Sequence, residues 1–233
     1  MKLVVKKSRL SGVAPMPGSK SHTIRALAIA SLAEGTSIIR SPLASSDTLS
    51  AVSCYKAFGA EIDTSDPKAW KVVGTGGIVT APDKTINIGN SGTTLNIAAG
   101  TASLASKGVI RLTGDDQVQS RPATPLLQSL KDLGAQAESM HGNGKAPISI
   151  AGRLQGGRTE IECFTSQHLT SLLLAAPLAE NDTEIVVSIL NEPDYVQMTL
   201  DWLDRQHIKY YNDGMRHFKI LGKQKYKAFD ISV

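Results

Sequence analysis

Four stretches of this sequence carry polar side chains at predicted helix starts. They are Gly18-Ser19-Lys20-Ser21-His22-Thr23-Ile24-Arg25, Gly89-Asn90-Ser91-Gly92-Thr93, Gln119-Ser120-Arg121-Pro122 and Thr165-Ser166-Gln167-His168. In the first, a polar turn runs into an apolar segment, and the Ser21 hydroxyl suits an N-cap that accepts a first-turn amide. Gly18 lets the backbone come close to a ligand there. Lys20 and Arg25 place two cations beside the positive end of the helix dipole, which already favours an anion. Around Asn90, Gly92 and Thr93 the backbone amides can form an anion-binding nest. Arg121 precedes a helix that starts on proline, so its guanidinium can reach a ligand bidentately. Thr165, Ser166 and Gln167 add hydroxyl and amide groups, and Tyr195 lies in the first turn of the last amphipathic helix. Taken singly, each of these is equally served by capping or turn chemistry. Their recurrence at equivalent points favours a shared site for phosphate or carboxylate.

The elements that must position them repeat. Ser21, Ser91 and Ser166 each open a small-and-apolar helix, followed by a β-rich segment over 36–39, 108–112 and 183–188. An amphipathic helix comes next, around 46–58, 122–133 and 193–206. A strand follows, and a closing strand near 70–73, 147–150 and 217–221 completes each set. This spacing predicts an α/β fold of three β-α-β-α-β-β units, the first taking its opening strand from somewhere before Gly18. The first helix of each unit is rich in Ala and Leu all round and should be buried. The second carries charge on one side (Lys56; Lys131 and Asp132; Asp201, Asp204 and Arg205) and should lie outside. Packing around a pseudo-threefold axis would run the three buried helices parallel and bring Ser21, Ser91 and Ser166 together.

Composition narrows the function classes. Of 233 residues 41% are hydrophobic, enough for a packed core. No apolar run approaches the roughly 18 residues of a membrane span, and residues 1–15 lack the apolar centre of a signal peptide. Cys54 and Cys163 are isolated, with no Cys-x-x-Cys and no His cluster, so a reduced cytoplasmic setting and no metal site are expected. The net charge of +4 sits at the two ends: four bases and no acid in 1–9, seven bases against two acids in 205–233. The body between is mildly acidic, and aromatics are only 5%, which argues against a nucleic-acid-binding face. Residues 2–6 and 226–233 have strand character, and both read as strands whose sheet lies outside this chain.

In this order and at these separations, Gly18-Ser19-Lys20-Ser21-x-x-x-Arg25, Gly89-Asn90-Ser91-Gly92-Thr93, Arg121-Pro122 and Ser166-Gln167-x-Leu169-Thr170 resemble the enolpyruvyl transferases, and among them the branch acting on 3-phosphoshikimate. The resemblance covers the whole chain, but the chain covers only about the first half of such an enzyme. It implies one of two similar domains: residues 1–14 and 224–233 as strands of a second domain, and three repeats over about 15–80, 81–152 and 153–223. It implies transfer of the enolpyruvyl group of phosphoenolpyruvate to the 5-hydroxyl of 3-phosphoshikimate in aromatic amino-acid biosynthesis, with no metal or organic cofactor, no nucleic acid and no membrane. The partner is the C-terminal half of the same enzyme, without which this chain is expected to be inactive. Lys20, Ser21, Arg25, Thr165, Ser166, Gln167 and Tyr195 would contact 3-phosphoshikimate. Lys20, Asn90, Gly92, Thr93, Arg121 and Gln167 would contact phosphoenolpyruvate, with Lys20 as the catalytic residue. Two positions depart from the family pattern. Asn96 stands where Arg is usual, and Asn191-Glu192-Pro193-Asp194-Tyr195 replaces Ser-x-Pro-Tyr. The alternatives are the UDP-N-acetylglucosamine enolpyruvyl transferase and a non-catalytic phosphate-binding module.

Overall fold

A helix reading Lys-Ser-His-Thr-Ile-Arg-Ala-Leu-Ala-Ile-Ala-Ser-Leu has no face polar enough to be left in water. In the computed structural model, which describes residues 3–9, 11–14 and 16–233, this helix is α1 (Lys20–Leu32), and every residue from Thr23 onward is buried. It leads through β1 (Thr36–Arg40) to α2 (Ser46–Ala57), β2 (Glu61–Asp63) and β3 (Ala69–Val73). The second unit runs β4 (Ile86–Asn87), α3 (Gly92–Ala102), β5 (Val109–Thr113), the short α4 (Asp116–Gln119), α5 (Thr124–Asp132), β6 (Gln136–Ser139) and β7 (Ile148–Ala151). The third runs β8 (Gly157–Cys163), α6 (Ser166–Ala175), β9 (Thr183–Leu190), α7 (Pro193–Arg205), β10 (Tyr210–Asp213) and β11 (His217–Ile220). Like α1, α3 and α6 are buried along almost their whole length. By contrast α2, α5 and α7 bury one side only, as their charge pattern predicts.

Each unit builds a four-stranded sheet of one design. In the second and third the orders are β4-β5-β7-β6 and β8-β9-β11-β10, the first pair parallel and the others antiparallel. The first unit needs a parallel partner for β1, which the sequence pattern leads one to expect before Gly18. The structure supplies it from the other end of the chain: β12 (Asp230–Ser232) runs parallel to β1 and completes the order β12-β1-β3-β2. This corrects the reading of 226–233 as a strand whose sheet lies elsewhere. Arg40 grips Asp230 with two hydrogen bonds of 2.6 and 2.7 Å. Tyr226, fully buried, donates its hydroxyl to the Leu174 carbonyl at the end of α6. Tyr226 thus belongs to this core, and the partly buried Phe229, Ile231 and Val233 pack against it.

The opposite end differs. Residues 3–9 form no strand, and Leu3, Val4 and Val5 stay exposed. The predicted strand over 2–6 is therefore absent where it is described, and Met1 and Lys2 lie outside the described residues. Two local readings at α1 also change. The N-cap is Ser19, not Ser21: its side chain accepts from the His22 amide at 3.3 Å, and the helix opens at Lys20. Gly18 is pressed against the chain's own Ser41–Leu43 backbone, which leaves no room for a Cβ, so its close approach serves packing.

Candidate functional site

The first half of α1 holds a buried cation. Arg25 is 2% exposed, and four hydrogen bonds hold its guanidinium. Nε donates to Thr199 Oγ1 (2.9 Å) on α7, and Nη1 to the Ser21 carbonyl (3.1 Å). Nη2 donates to Thr170 Oγ1 (3.0 Å) on α6 and to the Tyr195 carbonyl (2.9 Å) on α7. All four acceptors are neutral, and among the described residues no carboxylate pairs with it. Burial pulls its pKa down to about 10, so it stays charged at neutral pH. A buried cation without a counter-ion is costly unless something compensates it. An anion brought in from outside would.

Hydrogen bonds tie the helix starts of the three units into a ring. The first unit meets the third through Arg25. The second meets the third where Asn96 Nδ2 donates to Gln167 Oε1 at 2.9 Å. The first meets the second where Thr94 Oγ1 donates to the Asp47 carbonyl at 3.4 Å. Asp47 also takes Lys20, Nζ to Oδ2 at 2.8 Å, so the exposed Lys20 ammonium is held over the end of the ring. Asn96 does more than bridge. Its amide also donates to the Gly92 carbonyl (3.1 Å), which fixes it as the donor toward Gln167. Gln167 must then present its oxygen to Asn96, and among the described residues nothing accepts from its NH2, which can donate to a ligand.

The other predicted residues fall around this ring. Gly92 opens α3 with the Arg121 guanidinium against it: a Cβ at Gly92 would stand 2.6 Å from Nη1. Thr93 is half-buried in the same turn, above the Ser91 cap. Asn90 is turned aside, its amide donating to Asp115 at 2.6 Å. Asp115 is held below the ordinary carboxylate range, first by the Val118 amide at the start of α4 and then by Asn90. Thr165 caps α6 by accepting from the Gln167 amide. Ser166 is buried, and its hydroxyl donates to Glu192 at 2.9 Å. Ser21 contributes its carbonyl to Arg25, and Tyr195 likewise its carbonyl while its ring is exposed. Between Asn96, Arg121, Phe164, Thr165 and Gln167 lies a cavity of about 310 Å3.

A model of the EPSP synthase (3-phosphoshikimate 1-carboxyvinyltransferase) family matches residues 4–233. The chain belongs to the EPSP synthase family. Among curated relatives, the 3-phosphoshikimate 1-carboxyvinyltransferase of Acetivibrio thermocellus is 50% identical across the whole of this chain and 55% of its own length. That of Methanococcus maripaludis (strain C7) is 42% identical over 99% of this chain and 55% of its own. The solved EPSP synthase of Acinetobacter baumannii superposes with a TM-score of 0.83 at 26% identity, covering 93% of this chain and 48% of that one. This chain thus spans about half the length of the EPSP synthase relatives it matches.

Within the EPSP synthase frame, sequence reasoning missed the groups that hold the site residues. Thr170 and Thr199 position Arg25, and Asp47 positions Lys20. Asp47 had one visible signal, as an acid just behind a helix cap at Ser45. Nothing local marks the two threonines. Asn96 is legible only as a departure from the family pattern, whereas its hydrogen bond to Gln167 is a property of the fold. Among the described residues no group of three or more His, Cys, Asp or Glu could hold a metal ion, and no helix is long and apolar enough to cross a membrane.

Proposed function

We propose that this chain is the substrate-binding first domain of a cytoplasmic 3-phosphoshikimate 1-carboxyvinyltransferase, working with a second domain of similar build. The observation that carries the reading is Arg25: a buried guanidinium that keeps its charge among neutral acceptors, with no carboxylate partner among the described residues, at the place where three helix starts meet. Such a charge is a site prepared for an anion. In this reading the three repeats form the domain, with β12 completing the first of them, and residues 1–14 lead to its partner. The 3-phosphate sits at the start of α6 on Thr165 and Ser166, within the field of Arg25. Ser21 and Gln167 reach the shikimate hydroxyls, and the exposed Tyr195 ring lies along the carbocycle. Phosphoenolpyruvate lies over Gly92, between Arg121, Lys20 and the NH2 of Gln167, with Asn90 and Thr93 at its edge.

The reaction forms a C–O bond between the 5-hydroxyl oxygen and C2 of phosphoenolpyruvate, while a proton reaches the methylene carbon. Loss of phosphate and of one methyl proton then regenerates the double bond. Lys20 and Arg121 supply positive charge where negative charge builds on the leaving phosphate. The acid and base that move the protons belong to the second domain, whose closure also expels water. Calorimetry with 3-phosphoshikimate should show binding by this chain, weakened about tenfold to hundredfold by Arg25→Ala and unchanged by Lys145→Ala. Phosphate release from the two substrates should need a separately produced second domain. Turnover by this chain alone, or equal affinity in the two variants, would overturn the reading.

A further inference from the structure

The hydroxyl and the backbone amide of Ser166, at the start of α6, converge on one acceptor, and it belongs to the chain itself. Glu192 Oε2 lies 2.9 Å from Ser166 Oγ and 3.4 Å from Ser166 N. A helix start favours a negative charge, and Glu192 supplies one. Its position is unusual. Glu192 is the residue before α7, where a side chain ordinarily caps the helix it precedes, yet it makes no cap hydrogen bond there. Its backbone is left-handed, φ 57°, a region a non-glycine residue enters rarely. That turn sends the carboxylate across to α6. Among the described residues no Lys or Arg pairs with it, so Ser166 is what holds it.

One turn deeper, Arg25 binds Thr170 of α6 and the Tyr195 carbonyl of α7. The same two helix starts therefore carry a buried cation below and an exposed carboxylate above. A phosphate drawn toward Arg25 and the α6 start meets donors that Glu192 already occupies. Two anions cannot share them, and at this separation they repel.

We propose that Glu192 is a built-in competitor for the anion subsite of α6, displaced when a phosphate group binds and lowering the affinity for it. The proposal rests on reading the cleft as a 3-phosphoshikimate site. It makes Glu192 a specificity residue: it narrows the preference for a phosphorylated ligand over the same ring without phosphate. The solvent-exposed carboxylate can swing out into water without disturbing the core.

The test is calorimetry with 3-phosphoshikimate, shikimate and inorganic phosphate on the parent chain, Glu192→Gln, Glu192→Asn and the remote control Glu61→Gln. Gln keeps the length and removes the charge. Asn is at ease in left-handed backbone and is too short to reach Ser166. Both should tighten 3-phosphoshikimate and phosphate by about tenfold, since a charge-assisted bond and a like-charge repulsion are removed. Shikimate binding and the control should not change. If the parent binds 3-phosphoshikimate and neither Glu192 variant tightens it, the competitor is wrong and the proposed function stands. An equal gain for shikimate would also overturn it, because the effect would not concern phosphate. Absence of 3-phosphoshikimate binding in every variant would overturn both.

Discussion

Arg25 on α1 and His168 on α6 are both polar residues on buried helices, and both are 2% exposed. They solve burial in opposite ways. Arg25 satisfies four of its N–H groups with neutral acceptors and keeps its charge. His168 satisfies none: neither ring nitrogen has a partner among the described residues, and burial pushes its pKa down to about 4. It stays a neutral ring at the wall of the cavity beside Gln167. The fold spends polar contacts on holding a cation and none on a histidine of equal burial. Burial alone therefore says little about purpose, and satisfaction without charge neutralisation says more.

Three measurements would break or sharpen that contrast. The largest effect is on acid stability. His168 titrates at about 4 in the folded chain against 6.5 in a free side chain, so the unfolded state binds the extra proton between these values. Its contribution is fully present above pH 6.5 and is lost as pH falls toward 4, a drop of about 3 kcal/mol. His168→Phe should flatten most of the fall in thermal midpoint across that window. Some slope should remain from His22, whose pKa is lowered by burial and then by Arg25. An unchanged slope would mean that His168 is hydrated or paired.

Next comes Arg25→Met, which keeps much of the volume and removes the charge. Lost hydrogen bonds should be largely offset by relief of the buried cation, and Thr170 and Thr199 retain their mutual contact of 3.0 Å. The thermal midpoint should move by only a few degrees while 3-phosphoshikimate affinity falls roughly hundredfold. A collapse of the fold instead would make Arg25 a structural residue like any other.

The smallest effect belongs to Gly92→Ala, which tests space rather than charge. The nearest atoms a methyl there would meet belong to the flexible Arg121 side chain, so stability should hold. Displacing that guanidinium should weaken phosphoenolpyruvate binding by about tenfold in the assembled two-domain enzyme, read as a rise in KM, with 3-phosphoshikimate unaffected. Equal weakening of both substrates would place Arg121 outside the phosphoenolpyruvate subsite.

Much of this architecture is legible in the residues because its signals are local. The apolar runs after Lys20, Gly92 and Ser166 mark buried helices, and the pattern at Ser46, Thr183 and Pro193 marks the next elements at their observed starts. Ser19 and Ser21 suit a cap equally well, and only the backbone decides between them. The identity of the strand beside β1 is not in any local pattern, because pairing across the chain depends on which sheet has a vacant edge. For the same reason Asp47 and Glu192 can be read as acids near helix starts, but not as the partners of Lys20 and Ser166. Distance along the chain hides them.

The strand order β12-β1-β3-β2 has a consequence for how the protein comes into being. Arg40 leaves the ribosome long before Asp230, its partner 190 residues later. At a synthesis rate of about 5–20 residues per second, β1 waits on the order of 10–40 s with one side unpaired. The second and third units carry their own opening strands and can close as they emerge. The first unit made is thus the last one finished. Until then its open edge is the surface on which a nascent chain would pair wrongly or recruit a chaperone.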